Sequence, residues 1–316
     1  MKLHFAVIAV LALTIAGRSE ETRPMLSRAL LHNTVRIESV KPDGTHVGTG
    51  FFYTFRGADT NSFIPAIVTC WHVVSDSTLG HLHFALGSSN ALSRLQDHFT
   101  VSIPQFAQNW LRHPDTNVDL AVMPLAPIME LLKAQDKHLD ISPINAGLIP
   151  DAAELPKYGV FQEIKFIGYP IGIWDEKNNL PLVRRGMTAT DPVVDYNGRT
   201  EFLIDAAVFP GSSGSPVYIA NEGMTFFDGQ LRAGGQLRFL GILYGVYQHT
   251  SEGRVEVVRI PTAFDFKANT PIPANLGLVI KASRLKDFEA LFEQIVKKEE
   301  ALARRTAEQK AASPQK

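Results

Sequence analysis

Cysteine is almost absent. The 316-residue sequence holds one, Cys70, so no disulfide can form within the chain and a disulfide-stapled scaffold is excluded. Charge of one sign is lacking too: 31 Lys and Arg stand against 32 Asp and Glu, a formal charge of -1. Such a chain has no basic field to hold a phosphate backbone, and no nucleic-acid partner is expected. After the N-terminus no apolar run approaches the roughly 18 residues that a spanning helix needs, so no stable membrane insertion is expected. What remains is ordinary globular material, 45% hydrophobic and 20% charged. It suffices for one large domain or two moderate ones.

The N-terminus reads as a targeting segment. Met1-Lys2 gives a positive start, Phe5 to Ala16 is an apolar run, and Thr14 and Ala16 place small residues where signal cleavage is read. Residues 1–17 are therefore expected to be a signal peptide, and the mature protein secreted or periplasmic.

Strand signals dominate the rest. Thr34–Phe55 alternates around Lys41-Pro42-Asp43-Gly44, a turn between β-branched runs. Further strands are expected at Phe63–Cys70, His81–Leu86, Thr100–Ile103 and Leu120–Pro124, and again from Val160 to Ile260. Pro127 to Leu139 has helical spacing instead, with proline in the first turn. Leu285, Phe288, Leu291, Phe292, Ile295, Val296 and Leu302 form a second helical stripe, expected to pack on the second strand-rich lobe. Short strands separated by turns point to antiparallel barrels or sandwiches.

Three segments carry chemistry. Phe209–Val217, FPGSSGSPV, is a tight Gly/Ser turn between apolar runs. Its glycines would let backbone N–H groups turn inward toward an anion, and a serine there becomes a nucleophile if a base reaches it. Ile67–Val74, IVTCWHVV, ends a β-branched strand on His72. In NVDLAVMPL, Asp119 opens an apolar run; a buried carboxylate needs a donor, and an imidazole N–H supplies one. An esterase-type nucleophile elbow does not fit. Ser215 stands where that elbow needs glycine, a strand follows instead of a helix, and the order is His, Asp, Ser.

The order His72, Asp119, Ser213 is that of the chymotrypsin type of triad, and here the sequence resembles the trypsin-like serine peptidases. Several blocks are similar to the bacterial branch of HtrA-like and glutamyl-endopeptidase-like enzymes: GTGFFY (Gly48–Tyr53), TCWHVV, VDLAV, FIGYP (Phe166–Pro170), IDAAVFPGSSGSPV, LGILYG and LGLVIKASRL. The resemblance spans about residues 34–292. It implies an all-β fold of two antiparallel six-stranded β-barrels with a C-terminal helix. The expected divisions are an N-terminal barrel over 28–125, a connection with a short helix over 126–156, a C-terminal barrel over 157–280, and a helix with a polar tail over 281–316.

By position, the resemblance makes Ser213 the nucleophile, His72 the general base and Asp119 the residue that orients it. Gly211 and Ser213, with Ser212 between them, would form the oxyanion hole. The implied activity is a serine endopeptidase working through an acyl-enzyme on a peptide or protein substrate, without cofactor or metal. The alternative is a catalytically silent peptide-binding module on the same fold. Asp115 lies near Asp119 but does not precede Leu-Ala-Val, and Cys70 reads as a small buried hydrophobe. His81 and His83 share a strand face without a third ligand, which is a weak metal pattern.

Departures from the family matter as well. Ser212 stands where digestive zymogens carry the aspartate that pairs with a new N-terminus, so activity is expected without propeptide cleavage beyond signal removal. Leu243 replaces the specificity histidine of glutamyl endopeptidases. Ala207, Val208, Gly241, Ile242 and Leu243 are expected to line an apolar P1 pocket. No PDZ-like module follows, and a monomer is expected.

Overall fold

Period-two alternation builds the first lobe. The computed structural model describes residues 26–57, 62–87, 98–255, 266–295 and 297; the expected signal peptide and polar tail lie outside them. After a short helix α1 (Leu26–Leu31) come β1 (Thr34–Lys41) and β2 (Gly44–Arg56), joined by the Pro42-Asp43 turn. β3 (Phe63–Thr69) runs into a single helical turn, α2 (Trp71–Val74). β4 (Leu79–Ala85) and β5 (His98–Pro104) pair along their full length, and every second residue of β4 is buried. β6 (Leu111–Arg112), β7 (Ala121–Pro124), helix α3 (Ala126–Lys133) and β8 (Ile144–Asn145) complete the lobe.

The strand order is β5-β4-β1-β2-β3-β7-β6, with β8 added parallel to β2. This lobe departs from the expected six-stranded barrel. It has eight strands, and among the described residues its hydrogen-bonded path ends at β5 and β6. β6 stops after two residues, close to Pro114, which has no N–H to continue a ladder.

The second lobe has the expected closure. β9 (Glu163–Gly168), β10 (Leu182–Thr188), β11 (Glu201–Asp205), β14 (Phe266–Lys281), β13 (Gln230–Val255) and β12 (Pro216–Phe227) form a closed six-stranded barrel in that spatial order. The 221–238 insertion is no separate flap. It prolongs β12 and β13 as a paired ribbon that turns at Asp228-Gly229.

Both helices differ from expectation. α3 ends at Lys133 rather than Leu139, and Asp136 turns left-handed at φ 54°. The C-terminal stripe opens as a 3-10 turn, Ala282–Leu285, and continues as helix α4 over 286–295. Its 3-10 turn lies against β13 of the second lobe, while the aromatic residues of α4 pack on the first. Phe288 and Phe292 lie 6.0 and 5.3 Å from the ring of Phe55 on β2, because the aromatic partners that can bury them stand there. His113 locks the contact. Its Nδ1 accepts the Asp115 N–H at 3.0 Å, leaving Nε2 to donate to the Arg284 carbonyl at 3.2 Å. Arg284 in turn bonds Asp115 at 3.0 Å and Asp287 at 2.9 Å.

The lobes share a buried interface. Phe51 of β2 meets Phe239 of β13 edge-on at 5.4 Å. The Tyr218 hydroxyl of β12 donates to Asn33 Oδ1 at 2.6 Å, ahead of β1. No helix among the described residues is long and apolar enough to cross a membrane.

Candidate active site

β3 delivers its last residues to the boundary between the lobes, and α2 lifts His72 just beyond it. Asp119 precedes β7, the neighbour of β3 in the sheet. Pairing of these strands therefore brings together residues 47 positions apart. The His72 N–H donates to Asp119 Oδ1 at 2.9 Å, and His72 Nδ1 bonds the other carboxylate oxygen. Burial by itself would raise the Asp119 carboxyl. The hydrogen bonds and charge of His72, with Arg112 beyond, outweigh it and hold the group below the ordinary aspartate value. The aspartate fixes the ring through Nδ1 and leaves Nε2 clear of the carboxylate.

The Ser213 loop comes from the other lobe and packs on the residues just ahead of His72. The Leu243 carbonyl receives the Gly214 N–H at 2.7 Å and the Cys70 thiol at 3.5 Å. A side chain on Gly214, at φ +91°, would lie 1.9 Å from the Thr49 carbonyl oxygen, so only glycine fits. Ser213 is half-buried. Among the described residues no hydrogen bond joins its Oγ to His72.

The loop's peptide planes are individually held. The Pro210 carbonyl accepts the Ile171 N–H at 2.6 Å, and the Ser212 carbonyl accepts the Ser215 N–H at 3.0 Å. In a trans peptide the N–H points opposite the carbonyl. The Gly211 and Ser213 N–H groups consequently point away from these anchors, and neither has an acceptor among the described residues. The Ser212 N–H is engaged with the Phe209 carbonyl at 3.1 Å. Of the three residues expected at the oxyanion hole, Ser212 thus has no N–H to offer.

The expected specificity pocket needs correction. Leu243 and Ile242 are 0% exposed and Val208 4%. All three belong to the hydrophobic cores. A Cβ on Gly277 would sit 3.0 Å from both the Leu243 and Val208 side chains, so these residues fill the space against β14. At Gly241 it would sit 2.2 Å from the Ile280 carbonyl oxygen. Only Ala207 of the five retains partial exposure. The LGILYG block continues past these core residues. β12 pairs with β13 only as far as Ile242. Tyr244, Gly245 and Val246 are half-buried, and no strand among the described residues pairs their other edge. Tyr244 donates to the buried Glu201 carboxylate at 2.5 Å. Burial first, then this bond, raises its phenol above the ordinary range.

Cys70, His72 and Asp119 place potential metal ligands within 4.8 Å of one another. They suit a metal poorly. Burial, then the nearby Asp119 charge, pushes the Cys70 thiol well above its ordinary value, and the carboxylate is already engaged by His72. His81 bonds Ser102 at 2.9 Å. His83 lies 3.4 Å from the Arg36 guanidinium, which disfavours a cation beside it.

The trypsin-like peptidase domain profile matches residues 48–224, which contain His72, Asp119 and Ser213. The chain belongs to the trypsin-like peptidase domain family, serine peptidases of chymotrypsin-type fold. Solved structures of similar fold include the HtrA-type protease AlgW with a tripeptide (14% identity, 85% of this chain and 62% of that one, TM-score 0.45). A serine endoprotease from Yersinia pestis is another (14%, 84% and 65%, TM-score 0.44). A third is a Mycobacterium tuberculosis protease in its active form (15%, 83% and 81%, TM-score 0.37). The chain spans under two thirds of the length of the first two. Among curated proteins no sequence matches it.

Proposed function

We propose that the chain is a serine endopeptidase in which Ser213 attacks the scissile carbonyl. His72 takes the serine proton and returns it to the leaving amine, and Asp119 orients the ring and stabilises the imidazolium. The observation that carries this reading is the paired contact of His72 and Asp119, backbone and ring, beside the loop that bears Ser213. The nucleophile–base bond is often loose until substrate is bound. The free Gly211 and Ser213 N–H groups would receive the oxyanion; losing one such donor typically costs about 100- to 1000-fold in rate.

The open edge at Tyr244–Val246 would take the substrate as an added antiparallel strand. Ala207 is partly exposed and Leu243 stands where glutamyl endopeptidases carry histidine, and P1 is read as small or medium and apolar. A cleavage profile of a peptide library dominated by Arg, Lys or Glu would refute that preference. The N-terminal pattern supports export, and N-terminal sequencing of the mature protein near residue 17 tests it. The working unit is read as a monomer that acts on peptide or protein.

Labelling by a fluorophosphonate probe tests the chemistry. Modification at Ser213, abolished in Ser213→Ala and His72→Ala, is the expected result. Folded wild-type protein that resists the probe would make the chain a silent peptide-binding module. A general base must be neutral to take a proton, so hydrolysis should fall on acidification, and a rate that stays flat from neutral into acid would remove His72 from the role.

A further inference from the structure

We infer that Thr49, a buried residue of the first lobe, is the positioning group that holds the oxyanion-binding loop of the second lobe in its working shape. The inference rests on the reading of Ser213 as nucleophile and deepens it.

Thr49 lies on β2 within Gly48-Thr49-Gly50 and is 0% exposed. Each of its polar groups is engaged. Its N–H donates to the Ser213 carbonyl at 2.9 Å, and its carbonyl accepts the Thr69 hydroxyl at 2.7 Å. Its own hydroxyl accepts the Tyr169 N–H at 3.2 Å and donates to the Gly211 carbonyl at 2.9 Å. The direction is fixed by chemistry, because a carbonyl can only accept and an amide N–H can only donate.

Its side chain therefore ties β2 to two segments of the second lobe, the Gly-Tyr-Pro turn after β9 and the loop between Gly211 and Ser213, while its backbone carbonyl holds Thr69 at the end of β3. The loop needs such an anchor. Gly211 sits at φ +90° and cannot carry a side chain, because a Cβ would lie 2.4 Å from the Tyr169 carbonyl oxygen. Glycine also frees the two peptide planes it joins to rotate. The plane before it is held by Ile171, whose N–H bonds Pro210; the plane after it is held by the Thr49 hydroxyl. The Ser212 side chain supplies no anchor, since its hydroxyl is buried without a partner among the described residues; its N–H, in the same plane as the Gly211 carbonyl, bonds the Phe209 carbonyl at 3.1 Å. Where a charged pair could have pinned the loop, a neutral hydroxyl from the opposite lobe does so. Losing it would leave the plane between the two donor planes held only by the Ser212 N–H on the Phe209 carbonyl, so that the Gly211 and Ser213 N–H groups fall out of line while the His72–Asp119 pair stays in place.

The test compares Thr49→Val, which keeps shape but lacks the hydroxyl, with Thr49→Ser, which keeps the hydroxyl. The reporter is p-nitrophenyl acetate, whose small acyl group makes no demand on a specificity pocket. For Thr49→Val, kcat should fall about 10- to 100-fold, somewhat less than for outright loss of an oxyanion donor. KM should stay within about two-fold and the acid limb of the pH profile should not move. Thr49→Ser should recover most of the rate. A general loosening would instead shift KM, the pH limb and the melting temperature together.

If Thr49→Val does not fold, Thr49→Ala, with room for a water in place of the hydroxyl, carries the same comparison. Wild-type kcat in folded Thr49→Val or Thr49→Ala overturns the inference and leaves the triad intact. So does a joint shift of all three readouts. Wild-type protein that neither turns over the ester nor takes up the fluorophosphonate overturns the nucleophile reading, and this inference with it.

Discussion

At the scale of single residues, Asp119 is the most exposed to test. Replacing it with asparagine keeps the shape but removes the charge and alters the tautomer that the ring of His72 prefers. Turnover should fall by about four orders of magnitude, as expected when a triad loses its carboxylate. Ester hydrolysis measured on Asp119→Asn checks this; a loss below ten-fold would deny the residue its orienting role. The carboxyl also bears on stability. Its folded-state value is depressed, so its contribution is complete above the unfolded aspartate value, near pH ~3.9, and disappears as pH falls from there through the lowered folded value. Denaturant midpoints of wild type and Asp119→Asn should converge below about pH 4. A gap that stays constant down to pH 2 would contradict the linkage.

The residues that speak chemically were legible in order along the chain, because His72, Asp119 and Ser213 sit inside short blocks of distinctive composition. Thr49 was not. A threonine within Gly-Thr-Gly carries no sign that its hydroxyl will meet a carbonyl 162 positions away. Val208 and Leu243 misled for a related reason: an apolar residue beside the Ser213 loop has the same letters whether it lines a cavity or fills one.

Among elements, α4 shows where periodicity stops being informative. The stripe Leu285, Phe288, Phe292 identifies a helix and its buried face, but not which lobe that face will meet. The choice falls to the aromatic surface of Phe55 and the donor on His113. Truncating Phe288, fully buried between these two rings, should cost about 3–5 kcal/mol. Chemical denaturation of Phe288→Ala measures it, and a loss under 1 kcal/mol would place the helix elsewhere. β6 and β8 were equally hard to foresee. Two-residue strands have no alternation to read, and both exist because longer neighbours offer them free edges. The 221–238 stretch looked like an interruption of the second barrel, yet Asp228-Gly229 closes it as a hairpin of ordinary register.

For the molecule as a whole, the two lobes share a buried contact that includes Phe51–Phe239 and the Tyr218–Asn33 bond. Tyr218→Phe should cost about 1–3 kcal/mol, because Asn33 Oδ1 is left buried without its donor. Thermal or urea unfolding decides this, and an unchanged midpoint would show the bond to be dispensable. The class of fold was readable from strand spacing and turn residues. The open ends of the first lobe were not, since they depend on which edges end in proline and which find a partner across the sheet.

Cys70 has a practical consequence. Its sulfur is shut away between the two halves, beside the carbonyl that Gly214 of the Ser213 loop also uses. Two copies of the protein cannot be cross-linked through it while they remain folded, and storage in air should leave them unchanged. Iodoacetamide should reach it only when the halves part. The rate of alkylation then becomes a clock for that parting, read in the wild-type protein without any engineered label.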